Sequence, residues 1–114
     1  MLRDEAYLLD IVLAAKRAVK YAKKLSRVEF EKNDLVQDAV ARTLEIIGEA
    51  AGSVSEGLKE SHIDIPWHLM IGMRNRIIHE YSRVNWGTIW DTIKDDLPVL
   101  IQSLESLIPP EDKI

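Results

Sequence analysis

Cysteine is absent from the 114 residues, which removes a disulfide scaffold, a thiol nucleophile and every thiolate zinc site at once. Glycine (5) and proline (4) are scarce and phenylalanine occurs once. Ala, Leu, Ile, Glu and Lys dominate instead, a composition that favours helix over sheet. No apolar run approaches the roughly 20 residues that a membrane-spanning helix needs. In the opening Met1-Leu2-Arg3-Asp4-Glu5, acids stand where a signal peptide would carry its basic stretch. The expectation is a soluble cytoplasmic protein with no membrane partner. Positive charge is not in excess either: the net charge of −4 argues against indiscriminate coating of nucleic acid. With 46% hydrophobic and 30% charged residues, the chain reads as one domain, residues 1–114, too short for an enzyme with an interdomain cleft.

What is present is helical periodicity. A first segment runs from about Asp4 to Leu25, with Leu9, Val12, Leu13 and Val19 at one-face spacing. Its second half carries Lys16, Arg17, Lys20, Lys23, Lys24 and Arg27 without an intervening acid, a solvated face at the end where a helix dipole favours cations. Ser26 and Glu29 have capping-box spacing for a short turn ending near Phe30, and Asp34 with Gln37 repeats that spacing. A second long helix is predicted from Asn33 or Asp34 to Leu58, through Val36, Val40, Leu44, Ile47 and Val54. Gly48 inside that run implies a close helix–helix approach.

After a loop at 61–65, Pro66 suits the first turn of a third helix with the stripe Trp67, Met70, Ile71, Arg74, Ile77, Ile78 and Tyr81. Asn85 caps a fourth segment, from Trp86 to Ile108, which Pro98 should kink at Asp96–Pro98 before Pro109-Pro110 stops it. Four amphipathic helices with short connections predict an all-α antiparallel bundle of four to five helices.

The third helix breaks its own pattern. Arg74 sits in an apolar stripe, and a guanidinium cannot lose its proton, so burial demands an acceptor. Asn75 and His79, four apart, allow the amide to orient the imidazole. A fixed cation, an amide, a titrating imidazole and the Tyr81 phenol thus share two helical turns. Spacing alone leaves a structural reading open: Arg74 paired with Glu45 or Glu49, His79 at a helix end, Tyr81 half-buried. Two other groups are weaker. His62, Asp64 and His68 lie close in sequence, but a loop and Pro66 intervene, and no metal is expected. Trp67, Trp86 and Trp90 can stack bases, although core or interface packing explains them better.

Arg74-Asn75-Arg76-Ile77-Ile78-His79-Glu80-Tyr81 resembles the Arg-(four residues)-His-x-Tyr motif of HepT-type toxins, a branch of the HEPN superfamily. Leu44-Glu45-Ile46-Ile47-Gly48-Glu49-Ala50 is similar to that family's second-helix signature. Ile65-Pro66-Trp67 resembles the entry to its motif helix, and Asp96-Leu97-Pro98 resembles its last helix. The resemblance implies a HEPN-like fold that dimerises and an RNA endonuclease needing no metal and no cofactor. It implies further that the protein is the toxin of a two-gene system, with an MntA-like nucleotidyltransferase as antitoxin. By position, Arg74 and His79 become the catalytic pair, Asn75 a supporting residue and Tyr81 the acceptor of AMP. Glu80 stands where the family often has a small residue.

The residue types fit that chemistry. Metal-free RNA cleavage needs a base for the ribose 2′-hydroxyl, charge stabilisation on phosphate and an acid for the leaving oxygen. An imidazole serves as base or acid near neutrality, and an arginine offers forked donors to phosphate. Two copies facing across a dimer axis would supply the full set. Arg76 and Arg83 are candidates to guide the RNA backbone. Two competing readings are a non-catalytic helical dimer that binds a nucleotidyltransferase, and a nucleotide-binding bundle without turnover.

Overall fold

The computed structural model describes residues 3–109. Met1, Leu2 and Pro110, drawn on above, and residues 111–114 lie outside the described residues. The chain forms α1 (Arg3–Ala22), α2 (Arg27–Glu31), α3 (Asp34–Ser53), α4 (Glu56–Ser61), α5 (Trp67–His79), α6 (Trp86–Asp91) and α7 (Leu97–Glu105). A 3-10 turn occupies Tyr81–Arg83, and a π-helical segment, Thr92–Asp96, joins α6 to α7. Among the described residues there is no strand, and no helix is long and apolar enough to cross a membrane. The all-α architecture is as the sequence predicts, with long helices α1, α3 and α5 and a fourth limb made of α6, the π segment and α7.

Helix α3 packs against both α1 and α5, and α7 packs against α1. Contacts at the helix ends show the directions. Asp4 at the start of α1 meets Ser55 just after α3, while Asp38 near the start of α3 meets Tyr81 just after α5. Both neighbours therefore run antiparallel to α3.

Local signals explain most boundaries. At α2 the capping box forms as the spacing implies: Glu29 N–H donates to Ser26 Oγ at 3.1 Å, and Ser26 N–H donates to Glu29 Oε1 at 2.8 Å. At α3 the cap is Asn33, whose Oδ1 accepts from Val36 N–H at 3.0 Å. The Asp34–Gln37 spacing is not used as a box. Gln37 is buried and donates through Nε2 to the Phe30 carbonyl at 2.8 Å, tying α2 to α3.

The predicted helix to Leu58 is two helices. α3 ends at Ser53, Val54 turns extended, and Ser55 Oγ caps α4 by accepting from Leu58 N–H at 3.3 Å. Asp4 holds that corner, because Ser55 donates its hydroxyl (2.6 Å) and its N–H (3.0 Å) to the carboxylate. Those two hydrogen bonds keep the Asp4 carboxyl below the usual carboxylate range. A contact 51 residues away decided the boundary, which periodicity cannot register.

The buried face of α1 also differs. Leu8, Ile11, Val12, Ala15, Ala18 and Ala22 are buried, whereas Leu13 is 49% exposed. Alanine provides that seam and lets α3 approach, so a stripe read from large residues points partly to solvent. Of the basic run, Lys16 pairs with Glu105 at 3.0 Å, Arg17 donates to Tyr21 Oη, and Arg27 pairs with Glu31 and Asp91.

The kink near Pro98 takes a specific form. Leu97 N–H donates to the Thr92 carbonyl, five residues back, and Pro98 falls in the first turn of α7, where it has no amide to satisfy. The limb bends without breaking, and Ile93, Leu97, Leu100 and Leu104 stay in the core.

Gly48 is where α3 and α5 come closest. A Cβ on it would lie 2.1 Å from Arg74 Cβ and 2.8 Å from the Met70 carbonyl oxygen. Gly52, one turn on, has nothing within 4 Å of the same position. Gly48→Ala is expected to lower stability by about 1–3 kcal/mol through overpacking. Gly52→Ala should raise it by up to ~1 kcal/mol through helix propensity. Urea unfolding of the two variants checks both signs.

Candidate active site

Helix α5 carries the motif, and its start is anchored from outside the helix. Pro66 occupies the N-cap, and the Trp67 indole N–H donates to the His62 carbonyl at 3.0 Å. Trp67, Met70 and Ile77 are buried, while Ile78 is 43% exposed. The apolar stripe is therefore narrower than the sequence suggests, and Asn75, Ile78 and His79 look outward.

Arg74 leaves the helix on the α3 side, its Cβ held against Gly48. The guanidinium then donates from Nη1 to Asn75 Oδ1 at 3.0 Å. Among the described residues no carboxylate stands within ion-pair distance of it. Glu45, a candidate partner, sits 3.9 Å from Arg42, and Glu49 is exposed. Arg74 Nε is buried with no acceptor. A buried donor left unpaired costs roughly 1–3 kcal/mol, so the side chain is a cation that an incoming anionic acceptor would satisfy.

Asn75 thus serves the arginine and not, as the i, i+4 spacing suggests, the imidazole. His79 is the last residue of α5, exposed and without a side-chain hydrogen bond among the described residues. It is open to a substrate. Arg76 and Arg83 meet Glu80 around a small polar depression of about 220 Å³ at this end of the helix.

Tyr81 is 41% exposed, with its ring edge-on to Trp86 at 5.7 Å between centroids. Its hydroxyl donates to Asp38 Oδ1 on α3. The phenol is pushed up to about 12, first by burial, then by the Asp38 hydrogen bond and the negative charges of Asp38, Asp34 and Glu45. Asp38 was invisible to motif reading: it lies 43 residues from Tyr81 on a solvent-facing position of α3, and only the antiparallel pairing of α3 with α5 brings it there.

The weaker groups resolve simply. Trp86 and Trp90 pack on Phe30 at 6.0 and 5.5 Å, and Lys94 lies over the Trp90 ring. Among the described residues no three His, Asp or Glu side chains converge to hold a metal ion. An apolar groove of about 710 Å³ runs between α5 and the α6–α7 limb, lined by Leu69, Met73, Ile77, Val99 and Leu100, with Arg76 shared with the polar depression. Leu69 and Val99 are 73% and 62% exposed.

Comparison with known proteins identifies the family. A family model described as ribonuclease HepT-like matches residues 11–107. A protein of Thermococcus cleftensis named probable ribonuclease HepT is 37% identical over 101 residues, covering 89% of this chain and 92% of the relative. A candidate RNase of Methanocaldococcus jannaschii is 34% identical, covering 89% of this chain and 93% of its own. A candidate RNase of Caldanaerobacter subterraneus is likewise 34% identical, at 92% and 94%. No solved structure matches the chain closely enough to count as a relative. The matched span holds every helix of the site, from the Gly48 contact to Arg74, His79 and Tyr81, and the chain belongs to the HepT-like ribonuclease family.

Proposed function

We propose that residues 1–114 act as a single HepT-like domain: a cytoplasmic, metal-independent endoribonuclease toxin whose catalytic residues are Arg74 and His79. The observation that carries this reading is the Arg74 guanidinium, with a buried unpaired Nε and no carboxylate in reach among the described residues. A structural arginine would have its acid. One that lacks it suits a phosphate, whose oxygens accept the forked donors.

In the proposed reaction the ribose 2′-hydroxyl attacks the adjacent phosphorus. An imidazole takes its proton, guanidinium donors stabilise the added charge, and a second imidazole protonates the departing 5′-oxygen. The products are a 2′,3′-cyclic phosphate and a 5′-hydroxyl. One chain offers one motif histidine, so base and acid together call for a second copy. The apolar groove beside α5 is a surface for it, since Leu69 and Val99 are large side chains left open on the motif helix and its neighbouring limb. Asn75 supports Arg74, and Arg76 and Arg83 contact the RNA backbone. The partner that silences the toxin is an MntA-like nucleotidyltransferase antitoxin, which transfers AMP to the Tyr81 hydroxyl and so puts bulk and phosphate charge beside the site.

Purified protein, shown by intact mass to be bare at Tyr81, should cleave total RNA in EDTA. Arg74→Ala and His79→Ala should each lose at least about 100-fold with the fold retained. No cleavage by the bare wild type would instead make Arg74 an anchor in a non-catalytic complex. Arg76→Ala should weaken RNA binding and reduce its logarithmic salt slope by about one, with little effect on single-turnover chemistry. Light scattering should find a dimer, and Leu69→Asp should shift it to monomer with loss of cleavage. A Leu69→Asp variant that stays dimeric would remove the groove as the interface.

A further inference from the structure

We infer that Asp38 is the general base that takes the proton from Tyr81 when the tyrosine is nucleotidylated. The inference rests on the reading of Tyr81 as the AMP acceptor, and it identifies a second residue of this chain that the modification needs.

A phenol attacks phosphorus effectively only as it loses its proton. With the Tyr81 hydroxyl held up at about 12, the phenolate fraction at pH 7 is on the order of one in 100,000. Waiting for free phenolate is therefore slow, and a positioned acceptor is required. Asp38 Oδ1 already accepts the hydrogen bond of the hydroxyl. It projects from the first turns of α3, a helix fixed by the core, and the Tyr81 ring packs edge-on with Trp86. Of the charged groups facing the phenol, Asp34 and Glu45 on α3 act through their charge alone, and only Asp38 touches the oxygen. Trp86 on α6 adds no charge.

In the step, the Tyr81 oxygen attacks the α-phosphorus of a nucleoside triphosphate carried by the transferase. The O–H bond breaks and its proton passes to Asp38 Oδ1. The tyrosyl O–P bond forms, the bond from the α-phosphorus to the β-phosphate bridging oxygen breaks, and pyrophosphate leaves with that electron pair. Asp38 then releases its proton to water. The same carboxylate raises the phenol pKa and removes the proton, so the hydroxyl stays neutral until a phosphorus electrophile is presented.

The test uses the full chain, a purified MntA-like nucleotidyltransferase and magnesium ATP, with AMP incorporation followed by intact mass. Asp38→Asn should slow incorporation at Tyr81 by about 100-fold or more and leave RNA cleavage by the unmodified protein within about twofold of wild type. Its residual labelling should climb about tenfold per pH unit between pH 7 and 9, as hydroxide replaces the missing base, while the wild-type rate stays nearly flat. Asp34→Asn, which removes charge without touching the hydroxyl, should change labelling only a few-fold. Absorbance titration against Tyr81→Phe should show the Tyr81 pKa falling from about 12 in Asp38→Asn, yet staying above the ordinary 10 because burial and the charges of Asp34 and Glu45 persist.

Equal labelling of Asp38→Asn and wild type, with none in Tyr81→Phe, would overturn the assignment of Asp38 and leave the Tyr81 reading intact. Undiminished labelling of Tyr81→Phe would overturn the Tyr81 reading itself. Should Asp38→Asn lose RNA cleavage too, Asp38→Glu decides: restored labelling supports the base, and slow labelling in a variant that cleaves RNA normally overturns it.

Discussion

The contact between α3 and α5 at Gly48 is the constraint from which the site follows. With no side chain on α3 at that position, the Arg74 Cβ and the Met70 carbonyl of α5 occupy the space a methyl group would take. Close approach of two helices usually serves packing density. Here it also sets the root of the one arginine on the α3 side of α5, holding its Cβ against the α3 backbone. It also brings Asp38 alongside Tyr81, because both contacts belong to one antiparallel pairing. A single glycine therefore positions the cation and the tyrosine's carboxylate together.

Charge is distributed unevenly around the motif. Arg74 has an amide beside it and no acid within reach among the described residues, so no neighbouring charge offsets it. Tyr81, two turns further on, is ringed by Asp34, Asp38 and Glu45. The end of α5 thus carries the cations Arg74, Arg76 and Arg83, while the facing edge of α3 carries Asp34, Asp38 and Glu45. Glu80, between Arg76 and Arg83, tempers the cationic patch without touching Arg74.

The helices themselves were legible because their caps and periods are local. Ser26 with Glu29, Asn33, Asn85 and Pro98 act within a few residues of their own positions. What failed to read out was long range. The break at Val54 depends on Asp4, and the burial of α1 on alanines matched to α3. In the site, Arg74 was visible as a polar residue in an apolar stripe, and His79 and Tyr81 through the resemblance. Asp38 was not, since an exposed aspartate early in a helix looks like any other residue favoured by the dipole there.

That difference follows from what each residue must satisfy. Arg74 violates the local rule for its stripe, and such violations are detectable without knowing the fold. Asp38 violates nothing: its position is ordinary for solvent, and its contact with Tyr81 exists only because α5 ends where α3 begins. Motif searches weight residues that cannot be explained locally, so they find the part of a site that is strained or buried. They pass over partners that fit their surroundings in every other respect. Asp38 is such a partner, set on the helix facing the motif at the position that one antiparallel crossing places opposite the tyrosine.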